Sequence, residues 1–349
     1  MNSKFSFCEP CSISPLGELQ SRVVMAAMTR GFCGPNHTAT EQMANYYSRR
    51  ASEGVGLILT EGTIIHSSAD GYNNVPHIQT QEQTESWAKV VSKVHENGAK
   101  VFCQLWHCGR ISHEDYTGGL PPLSSTDKPA AGINRQNNKP YGVPRKMQDK
   151  DFQKVEEQFV SAARNALNAG FDGIQLHFGH GYLIDQFYDL RVNDREDEHG
   201  GSIANRCRFS LQILDNVLEV VDSSKVMARI SPSRDMGGIY EWHKRNEMIE
   251  YLLQEFDNSG LRMLDISCAN ADYFKTSGPA IRLARSYWPH LLIGGASLSA
   301  DQAQSEIDNG HLDMVTWGRA LIANPNMIAK FQDGTPLAEF NRNMLQSLD

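Results

Sequence analysis

Apolar runs of strand length alternate along the chain with stretches of helical periodicity. Eight runs stand out, at residues 23–28, 56–62, 100–106, 172–177, 225–231, 263–268, 291–296 and 313–318. They are almost continuously apolar, the pattern of strands buried on both faces. Between them apolar positions recur at i, i+3, i+4 and i+7, as in Trp87, Val90, Val91 and Val94, and again in Ile249, Leu252, Leu253 and Phe256. Phe152, Val155, Phe159, Ala162, Ala163 and Ala166 form a third stripe. Such stripes predict amphipathic helices with one face against a core.

The punctuation agrees with that reading. Thr80 with Gln83 and Ser299 with Gln302 have the spacing of capping boxes. Gly54, Gly98, Gly170, Gly260 and Gly310 each close a helical stretch just before a strand, where a left-handed residue is needed to stop the helix. Eight strands, each followed by a helix, predict an α/β fold of the (β/α)₈ TIM-barrel type. The open doubly wound sheet is the competitor, but no G-x-G-x-x-G follows any predicted strand. No linker divides the chain, so residues 1–349 are read as a single domain with the barrel over about 20–335. Residues 110–148 are too long for a plain loop after the third strand and predict a lid or hairpin over the barrel mouth. Residues 269–279 predict a second, shorter cover.

Composition narrows the classes. Forty per cent hydrophobic residues over 349 positions are enough for a large core, and the net charge of −8 argues against nucleic acid or an anionic membrane surface as partner. No run reaches the length of a membrane span, and the N-terminal residues lack the apolar core of a secretory signal. Seven scattered cysteines predict free thiols and a cytoplasmic protein; the lone pair Cys8 and Cys11 has no partner CxxC, so no metal is expected. Monomer and homo-oligomer are equally compatible with the chain.

A barrel gathers chemistry at the C-terminal ends of its strands. Thr29 and Arg30 fall there on the first strand, Glu61 on the second, and Gln104, Trp106, His107 and Arg110 on the third. The fourth supplies His177, His180 and Tyr182, the fifth Arg229, the seventh Gly294, Gly295 and Ala296, and the eighth Gly318 and Arg319. Imidazoles can donate hydrogen bonds to an oxygen gaining negative charge, and a phenol can deliver a proton without being ionised at neutral pH. A zinc-binding histidine pair beside a core tyrosine is the alternative. The glycines and Arg319 suit a phosphate. Arg229, in an apolar strand, requires an anionic partner; a carboxylate such as Glu61 would serve.

The set of motifs then identifies a family. The segments Met25-Ala-Ala-Met-Thr-Arg30, Tyr46-Tyr-Ser-Arg-Arg-Ala51, Gln104-Leu-Trp-His-Cys-Gly-Arg110, His177-Phe-Gly-His-Gly-Tyr-Leu-Ile-Asp-Gln-Phe187, Asp197-Glu-His-Gly-Gly-Ser-Ile-Ala-Asn-Arg206, Arg229-Ile-Ser-Pro232 and Gly318-Arg-Ala-Leu-Ile-Ala-Asn-Pro325 occur in one order. Together they resemble the Old Yellow Enzyme family of FMN-dependent ene-reductases over nearly the whole chain.

That resemblance implies reduction of bound FMN by NADPH or NADH, then reduction of an activated alkene, including nitro compounds or nitroesters, by ping-pong exchange in one pocket. Ala27, Thr29, Gln104, Arg229, Gly295, Ala296, Gly318 and Arg319 would hold FMN, with Thr29 on its O4 edge, Gln104 on the pyrimidine and Arg229 by N1 and O2. His177 and His180 would bind the substrate oxygen, Tyr182 would protonate the α-carbon, and Tyr72 and Trp106 would line the pocket. A dienoyl-reducing or amine-oxidising flavoenzyme of the same fold, and a catalytically idle flavin scaffold, are the competing readings. The former normally adds an iron–sulfur cysteine cluster that this sequence lacks; Tyr182 argues against the latter, since packing alone would accept Phe. Three departures from the family pattern are visible: Ala27 stands where Pro is usual, His77 follows Pro76 where Gly is common, and His180 stands where Asn also occurs. The resemblance also implies a tyrosine-bearing C-terminal tail; no such tyrosine follows Phe340, and no ligand contact from a tail is expected. Ser202 is expected to cap the helix after it.

Overall fold

The computed structural model describes residues 4–235, 239–268, 271–295 and 297–349. Eight parallel strands close on themselves: β1 (Val23–Met25), β2 (Leu57–Leu59), β3 (Lys100–Trp106), β4 (Gly173–His177), β5 (Val226–Ile230), β6 (Met263–Ile266), β7 (Leu291–Gly295) and β8 (Met314–Trp317). Each pairs with its sequence neighbour; β8 returns to β1 with Trp317 opposite Met25. The ring is a (β/α)₈ barrel. All eight strands fall inside the runs expected from the sequence; β3 and β4 reach the expected C-terminal ends, and the other six stop short of them. The backbone leaves the ladder after Met25 and after Leu59, because residues beyond those points line a cavity rather than a neighbouring strand.

The helical stripes are buried as their periodicity requires. In α2 (Gln81–His95), Trp87, Val90, Val91 and Val94 face the core; in α3 (Asp149–Asn168), the six expected apolar residues do. Each fully buried Val or Phe among them contributes about 1.5–3 kcal/mol. Both capping boxes form, Thr80 with Gln83 and Ser299 with Gln302. Ser202 caps its helix by accepting from the Asn205 N–H. Gly98 and Gly170 take φ values of +82° and +89°, which lets the chain turn from helix into strand.

Inside the barrel, Val24, Leu57, Leu59, Phe102, Met227, Met263, Ile293 and Met314 form an apolar plug. A hairpin of Cys11–Ile13 and Gly17–Leu19 adds Leu16 and Leu19 to it and stops the N-terminal end of the ring. The polar site therefore sits at the other end. Residues 107–148 there hold two small strand pairs, Leu123–Ser124 with Arg145–Lys146 and Ile133–Asn134 with Lys139–Pro140. This insertion is tied to the loop after β2: Asn73 Nδ2 donates to Gln136 O at 2.6 Å, and Tyr116 donates to Asn73 at 2.9 Å. Of the shorter expected cover, residues 269 and 270 lie outside the described residues, while Ala271 and Asp272 border the cavity. Among the described residues, no helix is long and apolar enough to cross a membrane. All seven cysteines are free thiols, five of them buried.

Candidate active site

A cavity of about 700 Å³ opens at the C-terminal end of the strands, a size typical of small-molecule sites. Its lining brings together Ala27, Thr29, Gln104, Trp106, His177, His180, Tyr182, Arg229, Gly318 and Arg319. Strand register explains much of this convergence. His177 pairs with Arg229 across β4 and β5, and Gln104 is opposite Gln175 across β3 and β4.

Beneath the cavity floor runs a polar layer. Gln104 Nε2 donates to Gln175 Oε1 at 2.7 Å, and Gln175 Nε2 donates to Asp265 Oδ2 at 3.0 Å. Asp265 is also the ion-pair partner of Arg229, with Nε 3.3 Å from Oδ2. The expected partner Glu61 does not play this part: its Oε2 accepts the backbone N–H groups of Arg30 and Gly31. The reason is register, since Asp265 lies directly opposite Arg229 on the adjacent strand. The signal was one acidic residue in the apolar run Met263-Leu-Asp-Ile266. Arg229 further donates to Ser267 Oγ at 2.7 Å, and Ser267 Oγ lies 3.2 Å from His180 Nε2.

The two imidazoles are 5.2 Å apart between ring centres, and His177 lies 5.4 Å from the Tyr182 ring. Burial, then the Arg229 charge, holds both histidines well below their ordinary range, so both are neutral at pH 7. A neutral imidazole still donates through one nitrogen. The His177 Nδ1 is buried without a hydrogen-bond partner. Burial pushes the Tyr182 phenol well above its ordinary range, so it holds its proton. The Trp106 ring meets that of Tyr182 edge-on at 4.8 Å.

The loop between β4 and α4 (Leu183–Tyr188) is held from below. His180 and Gly181 have φ values of +59° and +80°, and the Gly181 N–H donates to Asp185 Oδ2 at 2.6 Å. Asp185 also accepts from Trp242 Nε1 at 2.8 Å and pairs with the buried Arg234.

Some expected residues stand elsewhere. Gly295 is in β7 with φ +142°, and a Cβ there would fall 2.6 Å from Thr316 O; it is not among the lining side chains. Ala296 lies outside the described residues. Tyr72 does not line the cavity; it reaches the site through its hydroxyl, 2.7 Å from that of Tyr182. Arg110 donates to Lys128 O, His107 is buried below the loop, and Arg30 donates to Met344 O and Ser347 O. The C-terminal segment does supply contacts that the sequence reading missed. Phe340 and Leu345 line the cavity, with the Arg319 guanidinium over the Phe340 ring at 5.3 Å.

Residues 6–338 match the NADH:flavin oxidoreductase / NADH oxidase family. The chain is 33% identical to 12-oxophytodienoate reductase 7 of Oryza sativa subsp. japonica, over 96% of this chain and 90% of that protein. It superposes on morphinone reductase in complex with tetrahydroNAD with a TM-score of 0.87 and 31% identity, covering 97% of this chain and 94% of that one. An old yellow enzyme homologue from Zymomonas mobilis gives 0.88 and 28%, covering 97% and 96%. The chain belongs to the NADH:flavin oxidoreductase family, the Old Yellow Enzyme family. It is an FMN-dependent oxidoreductase with a nicotinamide reductant.

The cavity fits FMN. At one end Gln104 and Arg229 present amide and guanidinium donors fixed by the polar layer, chemistry suited to a pyrimidine edge that becomes anionic on reduction. At the other, Arg319 follows Gly318, where a Cβ would come within 3.0 Å of Met28 Sδ. His177 and His180 line the same cavity.

Proposed function

We propose that this enzyme reduces the C=C bond of α,β-unsaturated carbonyl compounds, and of nitro compounds or nitroesters, with His177, His180 and Tyr182 as the residues that act on the substrate. The observation that carries this reading is the convergence of two neutral imidazoles and one protonated phenol on a single cavity above Gln104 and Arg229. FMN, when bound, would supply the hydride chemistry that links NAD(P)H to the β-carbon of the alkene. The chain's own residues do the rest. His177 and His180 donate to the carbonyl or nitro oxygen, which draws charge away from the double bond. Tyr182 gives its proton to the α-carbon. Arg229, held by Asp265 and Ser267, offers positive charge at the pyrimidine edge. Thr29 and Gln104 would hydrogen-bond the ring, and Gly318 and Arg319, with Gly295, would hold the phosphate. Trp106 closes one wall. The insertion at 110–148 acts as the cover that selects among alkenes, supported by its ties to the loop after β2. Seven free thiols support a cytoplasmic location.

The test is direct. Purified protein, reconstituted with FMN, should be yellow, bleach on anaerobic addition of NADPH, and recover its colour on addition of an enone. A double replacement of His177 and His180 by Ala should weaken phenol and enone binding. Unaltered affinity in that variant would show that the substrate oxygen binds elsewhere.

A further inference from the structure

The acid assigned above is not isolated. The Tyr72 hydroxyl oxygen lies 2.7 Å from that of Tyr182, at the length of a strong O–H···O hydrogen bond. Tyr72 is absent from the cavity lining and only partly buried. Its position is also fixed. Asp70 Oδ1 accepts the Gly71 and Tyr72 N–H groups at 2.7 and 3.1 Å, and Asp70 Oδ2 is 3.0 Å from His77 Nε2. The His77 ring stacks on His37 at 3.8 Å, and Ser112 donates to Asp70 O. The Tyr72 ring rests on Trp106 at 4.9 Å. The departure from the family pattern at His77 thus anchors the loop that carries a second phenol to the first.

We propose that Tyr72 is a proton relay for Tyr182. This rests on the reading of Tyr182 as the acid. In the reacting arrangement the Tyr182 proton points into the cavity, so Tyr72 donates and Tyr182 Oη accepts. The Tyr182 O–H bond breaks as the new C–H bond forms at the α-carbon. In the same step the Tyr72 O–H bond breaks as the Tyr182 O–H bond is restored, and the phenolate left on Tyr72 afterwards takes a proton from water. No electrons pass between the phenols; the two that reach the alkene arrive with the hydride that NAD(P)H supplies. Without a donor behind it, a phenolate at Tyr182 would be left in a dry site, where an unpaired charge is costly. Tyr72 is a positioning residue in this scheme, since it touches no reacting atom. The other titratable groups facing the pair are Cys108, Tyr141 of the insertion, and His177.

Three measurements on the FMN-loaded enzyme test this. The wild-type oxidative half-reaction with an enone, run in mixtures of H₂O and D₂O, should give a curved dependence on deuterium content, because two protons move; a straight line overturns the relay with no variant needed. Tyr72→Phe keeps the ring on Trp106 and removes only the hydroxyl. It should reduce its flavin with NADPH at the wild-type rate, lose the curvature, and reoxidise with the enone about tenfold to a hundredfold more slowly, the effect of losing one hydrogen bond to a charged group. A Tyr72→Phe rate equal to wild type overturns the relay. Titration of the Tyr182 phenol by ultraviolet difference absorbance gives a readout apart from turnover. Losing a donor to the phenolate should move its ionisation upward in Tyr72→Phe, and an unmoved titration counts against the proposal. Tyr182→Phe separates the two levels: if it is slow while Tyr72→Phe is not, the relay alone fails, and if neither is slow, the assignment of Tyr182 fails.

Discussion

Asp185 is the residue whose removal should do most damage for its size. It is fully buried one turn below the loop that carries His180 and Tyr182. One carboxylate oxygen accepts from the Gly181 N–H at 2.6 Å and pairs with Arg234; the other accepts from Trp242 Nε1 at 2.8 Å. Replacing Asp185 by Ala leaves a guanidinium with a side-chain exposure of 5% and, among the described residues, Asp189 at 3.9 Å to share its charge. Breaking a buried ion pair by removing one partner costs about 3–5 kcal/mol. Two orphaned N–H groups would add about 1–3 kcal/mol each if nothing relaxed. The shared geometry makes these terms overlap, so about 3–5 kcal/mol is the expected loss. For a chain of this size that is a fall in Tm of about 4–7 °C. The loss should also reach the site, because His180 and Gly181 hold positive φ values that Asp185 helps to fix. Denaturant unfolding of the FMN-loaded variant measures the first effect, and titration with a neutral phenol, followed by the flavin spectrum, measures the second. Wild-type stability with wild-type phenol affinity would refute the reasoning. A stability loss with unchanged affinity would remove the link from Asp185 to the histidine.

Tyr182→Phe should keep the NADPH half-reaction and slow enone reoxidation by about 10²–10⁴-fold, the usual worth of a positioned acid; stopped-flow absorbance separates the halves, and an unchanged enone rate removes Tyr182 from the role. Burial raises the Glu61 carboxyl from 4.5 to about 7, so the folded protein keeps a proton that the unfolded chain releases, and this group costs stability as pH rises through that window. Glu61→Gln should therefore gain on wild type by about 2–3 kcal/mol between about pH 4 and about pH 8 in urea unfolding, and a pH-independent gap would contradict the assignment. Thr80→Ala, which removes the capping oxygen of α2, should cost about 1 kcal/mol with no effect on turnover, checked by the denaturation midpoint.

The barrel was legible because strands buried on both faces leave runs that are apolar without alternation, and each helix between them carries its stripe and its stop. Their ends were less legible. Met28 and Gly62 look like continuations of β1 and β2, yet the chain bends there to line a cavity, a tertiary demand with no local signature. The residues at strand ends came together as expected since the fold itself sets their place. Partners across strands did not: Asp265 rather than Glu61 meets Arg229 because register, not spacing, decides it. Gln175, Ser267 and Asp185 were hidden for the same reason, each acting through a contact distant in sequence. Phe340 and Leu345 carry no motif, and their place follows from Arg30, which draws the backbone near residues 344–347 back over the barrel.

The hairpin that carries Leu16 and Leu19 corks one end of the ring, so among the described residues the cavity lies at the other end. If nicotinamide and alkene take turns in that cavity, the spent nucleotide has to depart before its successor is admitted. Excess reductant should for that reason compete with the alkene rather than speed its conversion.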